Sequence, residues 1–256
     1  MFYYIDTHTH LYDAAFAGEG DSAVARAVEA GVAKLIFPDI SEPTREAMFS
    51  LAERHPGTAF PCLGLHPTDL TKDWEAEIEQ MLSWKDRDIC AIGEIGMDLY
   101  WSKELVSEQE AAFGRQLEIA HEMDLPVIIH SRDATDRILD VLRRHRHLDL
   151  RGSFHAFSGS IETYREIQKL GDFYVGIGGV LTFKKASIAE TVKEIPLGRI
   201  LLETDSPYLT PVPHRGERNE SAYIPHIAAF LARQKGISAE EVAQVTTRNA
   251  ETLFSI

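Results

Sequence analysis

Short apolar, β-branched runs alternate with amphipathic stretches from one end of the chain to the other. Runs at 2–5, 34–40, 59–64, 89–93, 126–129, 152–154, 173–177 and 199–202 predict strands. Between them, segments at 21–30, 43–54, 74–83, 107–123, 135–144 and 161–170 carry helical spacing. In the fourth of these, Phe113, Leu117 and Ala120 make one apolar stripe. Asp21 and Ser22 at the start and Gly31 at the end read as a cap pair for the first helix. Pro43 and Pro126 fall where an element opens and a missing N–H costs little. Eight strands, each followed by a crossover, predict an α/β fold, a (β/α)8 barrel. No Pro/Gly/Ser-rich linker or repeat interrupts the pattern, so residues 1–256 read as one domain.

Composition narrows the setting. The chain is 44% hydrophobic and 26% charged, the balance of an ordinary globular protein with a full core. Its two cysteines, Cys62 and Cys90, lie inside apolar runs and read as buried free thiols. Neither a secretory leader nor a run of membrane-spanning length is present, and the expected setting is cytoplasmic, with no membrane contact and no obligate protein partner. Asp and Glu outnumber Lys and Arg by 40 to 26, a net charge of −14. Such a balance argues against a broad nucleic-acid-binding face, so contact with phosphates should be local and metal-assisted.

The candidate chemistry lies where the apolar runs end. His8 and His10 follow the first run, and the two-residue period of an extended chain turns both rings to one side, where they can clamp a divalent cation. On its own this pair reads first as two surface histidines in an N-terminal strand. Recurrence changes the reading: Glu94, His130, His155 and Asp205 close the fourth, fifth, sixth and eighth runs. In a barrel these places converge on one face, the face that carries active sites. Four imidazoles and two carboxylates exceed the needs of one tetrahedral ion. We assign one ion to His8, His10, Glu94 and Asp205, and a second to Glu94, His130 and His155, with Glu94 bridging. Two dications roughly 3.5–4 Å apart repel, and a shared carboxylate offsets that. The ligand mixture favours Zn²⁺ or Mn²⁺ over Mg²⁺ without excluding the last.

Other residues on the same face read as substrate contacts. His66 is expected to touch substrate or orient a ligand. Arg132, Arg215 and Arg218 are candidates for holding phosphates, and equally for surface ion pairs. Met97, Tyr100 and Trp101 suggest an exposed βα loop that stacks on a base or caps the barrel. His145 and His147, two apart on a predicted helix, should face away from each other and share no ion.

Several strings resemble those of the TatD family of metal-dependent deoxyribonucleases. They are Asp6-Thr7-His8-Thr9-His10-Leu11, Gly64-Leu65-His66-Pro67, Gly93-Glu94-Ile95-Gly96-Met97-Asp98 and Pro126-Val127-Ile128-Ile129-His130-Ser131-Arg132, continuing with His155-Ala156-Phe157-Ser158-Gly159 and Glu203-Thr204-Asp205-Ser206-Pro207-Tyr208. The likeness runs on through Pro211–Gly216 to Asn249-Ala250. It implies a TIM barrel, a dinuclear metal site on the residues assigned above, and hydrolysis of DNA phosphodiesters. Two departures stand out: Leu99 where members commonly carry an aromatic, and Ser221 where they commonly carry proline. Glu94 also occupies the strand on which many members of the wider amidohydrolase superfamily carry a carboxylated lysine.

The expected reaction is attack of a water on phosphorus assisted by two divalent ions (Mg²⁺, Mn²⁺ or Zn²⁺), with Asp205 as general base. Glu203 shares the inward parity of Asp205 and is expected to orient a ligand or water, or else to be a paired carboxylate of the barrel. The expected substrate is DNA, preferably single-stranded ends. The same ions would polarise the carbonyl of a lactone or an aminoacyl-tRNA ester equally well, which is the rival reading. A third, an inert metal-stabilised scaffold, gives no physical reason to keep every ligand.

Overall fold

Eight parallel strands form in chain order: β1 (Tyr4–Asp6), β2 (Val32–Phe37), β3 (Ala59–Pro61), β4 (Ile92–Asp98), β5 (Val127–Arg132), β6 (Arg151–Phe154), β7 (Asp172–Ile177) and β8 (Ile200–Leu202). The computed structural model describes residues 2–256. Around the strands lie α1 (Gly20–Glu29), α2 (Glu42–Arg54), α3 (Trp74–Leu82), α4 (Val106–Glu122), α5 (Thr135–Arg144), α6 (Ile161–Ile167), α7 (Ile188–Glu194), α8 (Ile224–Lys235) and α9 (Ala239–Phe254).

The strands pair as two arcs, β1-β2-β3 and β4 through β8. Backbone bonds close both seams. Leu63 N–H donates to Ala91 O (3.1 Å) and Gly93 N–H to Leu63 O (2.7 Å) between β3 and β4. Thr7 N–H donates to Leu202 O (3.0 Å) and Asp205 N–H to His8 O (2.9 Å) between β8 and β1. The ring is therefore a (β/α)8 barrel, as the alternation predicts.

The core is packed in two zones. Strand residues such as Leu35, Ile95 and Val127 meet helix residues such as Phe113 and Leu117 in the outer zone. Ile5, Ile36, Cys62, Ile128 and Leu201 form an inner cluster with Ala250, Leu253 and Phe254 of α9. Asn249 anchors that helix by donating to Leu197 O (3.0 Å) and Ile200 O (2.8 Å) at the start of β8, so α9 closes the end opposite the strand C-termini. Both cysteines are buried and free, their sulfurs 3.7 Å apart.

The differences from expectation are local. α1 begins at Gly20 with Glu19 in the cap position, so Asp21 lies in the first turn rather than capping it. Glu94 and His130 do not end their strands: β4 continues to Asp98 and β5 to Arg132. A polar residue in these strands marks a side chain directed to the site; the β4–β5 ladder shifts register between Ile92 and Ile95, around Glu94, and then runs on to Asp98 and Arg132. Met97 accordingly lies fully buried within β4, while Tyr100 and Trp101 are 55% and 70% exposed beyond it. α5 stops at Arg144, which puts His145 and His147 in a tight turn where their rings stack at 6.3 Å instead of facing apart.

One buried ion pair braces the barrel beneath the site. Asp39, after β2, accepts from Arg45 Nε of α2 (2.7 Å) and from Gly64 N–H (3.2 Å). Its backbone accepts from Glu94 N–H (2.9 Å) and donates to Gly93 O (2.9 Å). Asp39 Oδ1 and Arg45 Nη1 have no partner in the structure.

Candidate metal centre

Glu94 sits at the middle of the C-terminal face with its two carboxylate oxygens turned to different neighbours. Oε2 lies 3.1 Å from His8 Nε2 and 3.8 Å from His10 Nε2. Oε1 lies 2.7 Å from His130 Nδ1, 3.1 Å from His155 Nε2 and 3.5 Å from His66 Nε2. Asp205 completes the first side, with Oδ1 3.7 Å from Nε2 of both His8 and His10. The barrel thus brings together all six predicted ligands, and adds His66 to the shell around Oε1. Ligand-competent atoms cluster as His8–His10–Glu94, His66–Glu94–His130 and His8–His155–Asp205, each within 4.8 Å.

Local sequence explains each placement. Gly96 adopts φ +137°, and a Cβ there would fall 2.1 Å from His130 O; glycine lets β4 approach β5 beside the site. Asp205 holds φ +57°, a conformation that Asp and Asn tolerate better than most residues. Asp6 secures the adjoining residue by accepting from Thr204 N–H (2.9 Å) and Thr204 Oγ1 (2.6 Å). Burial pushes Asp6 up to about 7, against the pull of the Thr204 and Ser221 hydroxyls.

The donor set suits a cation. Tyr12 donates its one hydroxyl hydrogen to Pro38 O, so the 2.8 Å contact between that hydroxyl and His10 Nδ1 must run from the ring N–H. A neutral His10 then presents a lone pair at Nε2, aimed at Glu94 and Asp205. Its ring is held neutral, since burial lowers its pKa to about 4. His8 is lowered still further by burial and by the neighbouring His155. Two such nitrogens stand only 3.1 Å apart, with ring centroids at 5.0 Å. Among the described residues, the ion-pair partners of Glu94 and Asp205 are histidines, and no Lys or Arg competes for the carboxylates. Burial alone would raise Glu94, but His155, His8 and His66 outweigh it and hold the group well below the carboxylate range. Burial pushes Asp205 up to about 7 despite the opposing pull of His155.

Two outer carboxylates stand behind the histidines of the Oε1 side, Asp98 hydrogen-bonded to His130 and Glu203 beside His155. Glu203 Oε1 lies 3.4 Å from His155 Nδ1 and accepts from Ala156 N–H (2.5 Å). Room for it comes from Gly176, where a Cβ would sit 1.9 Å from Glu203 Oε2. Asp98 Oδ2 lies 3.0 Å from His130 Nε2, and its Oδ1 accepts from Tyr100 N–H (3.0 Å). The sequence reading did not single out Asp98, although its parity along β4 matches that of Glu94. His66 Nδ1 lies 2.7 Å from Thr68 Oγ1, whose own hydrogen goes to Asp69 Oδ2 (2.9 Å), so the ring donates from Nδ1 and turns Nε2 toward Glu94 Oε1. Arg132 lies over the Tyr100 ring at 3.8 Å. Arg215 stacks on Phe183 at 4.0 Å and donates to Thr210 O. Arg218 pairs with Glu19 at 2.8 Å, the ion-pair reading.

A model of the family described as TatD related DNase matches residues 5–255. The chain belongs to that family. Among TatD-related relatives, the Bacillus subtilis protein named uncharacterized metal-dependent hydrolase YabD is 36% identical, over 98% of each chain. A protein of Enterobacter lignolyticus named 3'-5' ssDNA/RNA exonuclease TatD is 33% identical, also over 98% of each. The crystal structure of the Escherichia coli K12 TatD homolog YjjV superposes with a TM-score of 0.90 at 31% identity, covering 99% of this chain and 98% of that one. The two departures from the TatD pattern keep the site's frame. Leu99 N–H donates to Arg132 O (2.9 Å), continuing the β4–β5 ladder, and buried Ser221 donates to Thr9 Oγ1 (3.0 Å) between His8 and His10.

Proposed function

We propose that the chain is a metal-dependent phosphodiesterase that trims single-stranded DNA ends with two divalent ions bound about Glu94. The observation that carries this is the split of the Glu94 carboxylate, one oxygen toward His8 and His10 and the other toward His130 and His155. Family membership and the exonuclease names of relatives such as the Enterobacter protein support the substrate class. When bound, such ions lower the pKa of a water and neutralise charge on phosphate oxygens.

The protein's own groups do the rest. Asp205 accepts the proton of the attacking water. Asp98 fixes the ring orientation of His130, the support that ligating histidines generally receive, and Glu203 places its charge behind His155. His66 turns Nε2 toward Glu94 Oε1 at the edge of the site, within reach of a bound substrate, and Arg132 and Arg215 offer guanidinium groups to flanking phosphates. Elemental analysis of protein saturated with Mn²⁺ or Zn²⁺ should find two equivalents or more; at most one would refute the dinuclear assignment.

Substrate is tested by time-resolved digestion of end-labelled single-stranded DNA with Mg²⁺, Mn²⁺ and Zn²⁺ in parallel. With a net charge of −14, capture of duplex by clustered Lys and Arg is weak, so single-stranded ends should be cut much faster than closed duplex. Equal rates would favour the carbonyl-hydrolase reading. Tyr100 and Trp101 are exposed beside Arg132 and supply a stacking surface. Stacking is worth roughly 1–3 kcal/mol per base, so Trp101→Ala should raise KM by about 5- to 150-fold with kcat little changed. An unchanged KM would remove the loop from the substrate path.

A further inference from the structure

His214, on the long loop between β8 and α8, and His226, in the first turn of α8, face each other at the surface with Nε2 atoms 3.3 Å apart. Their ring centroids are 5.0 Å apart. A hydrogen bond in line between two rings at this nitrogen distance would hold the centroids about 5.6 Å apart. The rings are therefore tilted off the line joining the two nitrogens, a geometry that an ion shared beside that line accommodates. Two imidazoles on one tetrahedral ion, at about 2.0–2.1 Å each, stand about 3.3–3.4 Å apart. The His8–His10 pair of the metal centre repeats the geometry, at 3.1 Å and 5.0 Å.

The surroundings complete the likeness. Glu217 Oε2 lies 3.1 Å from His214 Nδ1, and Tyr223 donates to the same oxygen at 3.3 Å. The carboxylate takes the Nδ1 hydrogen and leaves the lone pair of His214 on Nε2, the relay that metal-bound histidines use. Tyr223 also stacks on the His214 ring at 3.9 Å and 2°, which fixes its plane. The site is open to solvent, so water can fill the remaining positions.

We propose that His214 and His226 form a further binding site for a late first-row divalent cation, Zn²⁺ or Cu²⁺, distinct from the donors around Glu94. Two imidazoles select such ions over Mg²⁺ or Ca²⁺. Bound there, the ion ties the loop that carries Arg215 to α8.

Zn²⁺ titration of the full chain by equilibrium dialysis tests this. His214→Gln and His226→Gln should each bind one equivalent fewer than the unaltered protein, with unchanged melting temperature without metal. Glu217→Ala should keep that equivalent but bind it about 10- to 100-fold more weakly. Glu94→Gln, which damages only the central site, should still bind an equivalent that a further His226→Gln change removes. In the unaltered protein, Zn²⁺ should shift the imidazole resonances of both His214 and His226. Equal stoichiometry and affinity in the two histidine variants, or unmoved resonances, would overturn the proposal. Cu²⁺ in place of Zn²⁺ should give an electron paramagnetic resonance signal with nitrogen hyperfine structure that His226→Gln diminishes; a signal unchanged by that substitution counts against the site.

Discussion

Glu94→Gln is expected to lower kcat by on the order of 10³-fold or more, beyond the 10- to 100-fold typical of residues that only orient a ligand. The substitution keeps shape and removes the charge whose two oxygens face the two sets of histidines. An amide has one oxygen and one NH₂, so whichever way it turns, one set meets a donor where the carboxylate gave an acceptor. Metal bound at the central site should fall below one equivalent, whereas His10→Ala and His130→Ala should each spare the opposite side. Metal content and single-turnover cleavage decide it. Losses no greater than those of the histidine variants would make Glu94 a ligand to one ion only.

Asp205→Asn is expected to remove most cleavage with little effect on stability. A general base contributes 10²–10⁴-fold, and the amide cannot take a proton from water at neutral pH. Asparagine tolerates the φ of +57° at this position, and the bond from the backbone N–H to His8 O does not involve the side chain. Thermal melting of the metal-free protein should resemble that of the unaltered chain. Undiminished nuclease activity would take the base role away from Asp205.

The ring of strands and the six clustered residues, Glu94 and the five about it, are legible in the sequence because both follow from period and position. Alternation puts His8 and His10 on one side, and barrel topology gathers residues from β1, β4, β5, β6 and β8 to one face. Strand ends were misread where chemistry interrupts hydrophobicity. Glu94 and His130 look like terminators because polar residues usually leave a buried strand, yet here they fill the mouth of the barrel. The same error moved Met97 into a loop and hid Asp98, which lies at the true end of β4. The place of His66 against Glu94 Oε1 depends on how the loop after β3 folds back, and no spacing rule reports that.

The Asp39–Arg45 pair beneath Glu94 has a consequence for how this chain can change over generations. Losing one member of a buried pair strands the other charge, at a cost of about 3–5 kcal/mol, whereas exchanging both for well-packed apolar residues is often neutral or better. Total stability is typically only about 5–15 kcal/mol, so either single step consumes a large share of it. Every path from this arrangement to an apolar one crosses that deficit, and Asp39 also carries the backbone of Glu94 across with it. Drift is therefore blocked one substitution at a time: descendants should hold both residues or neither.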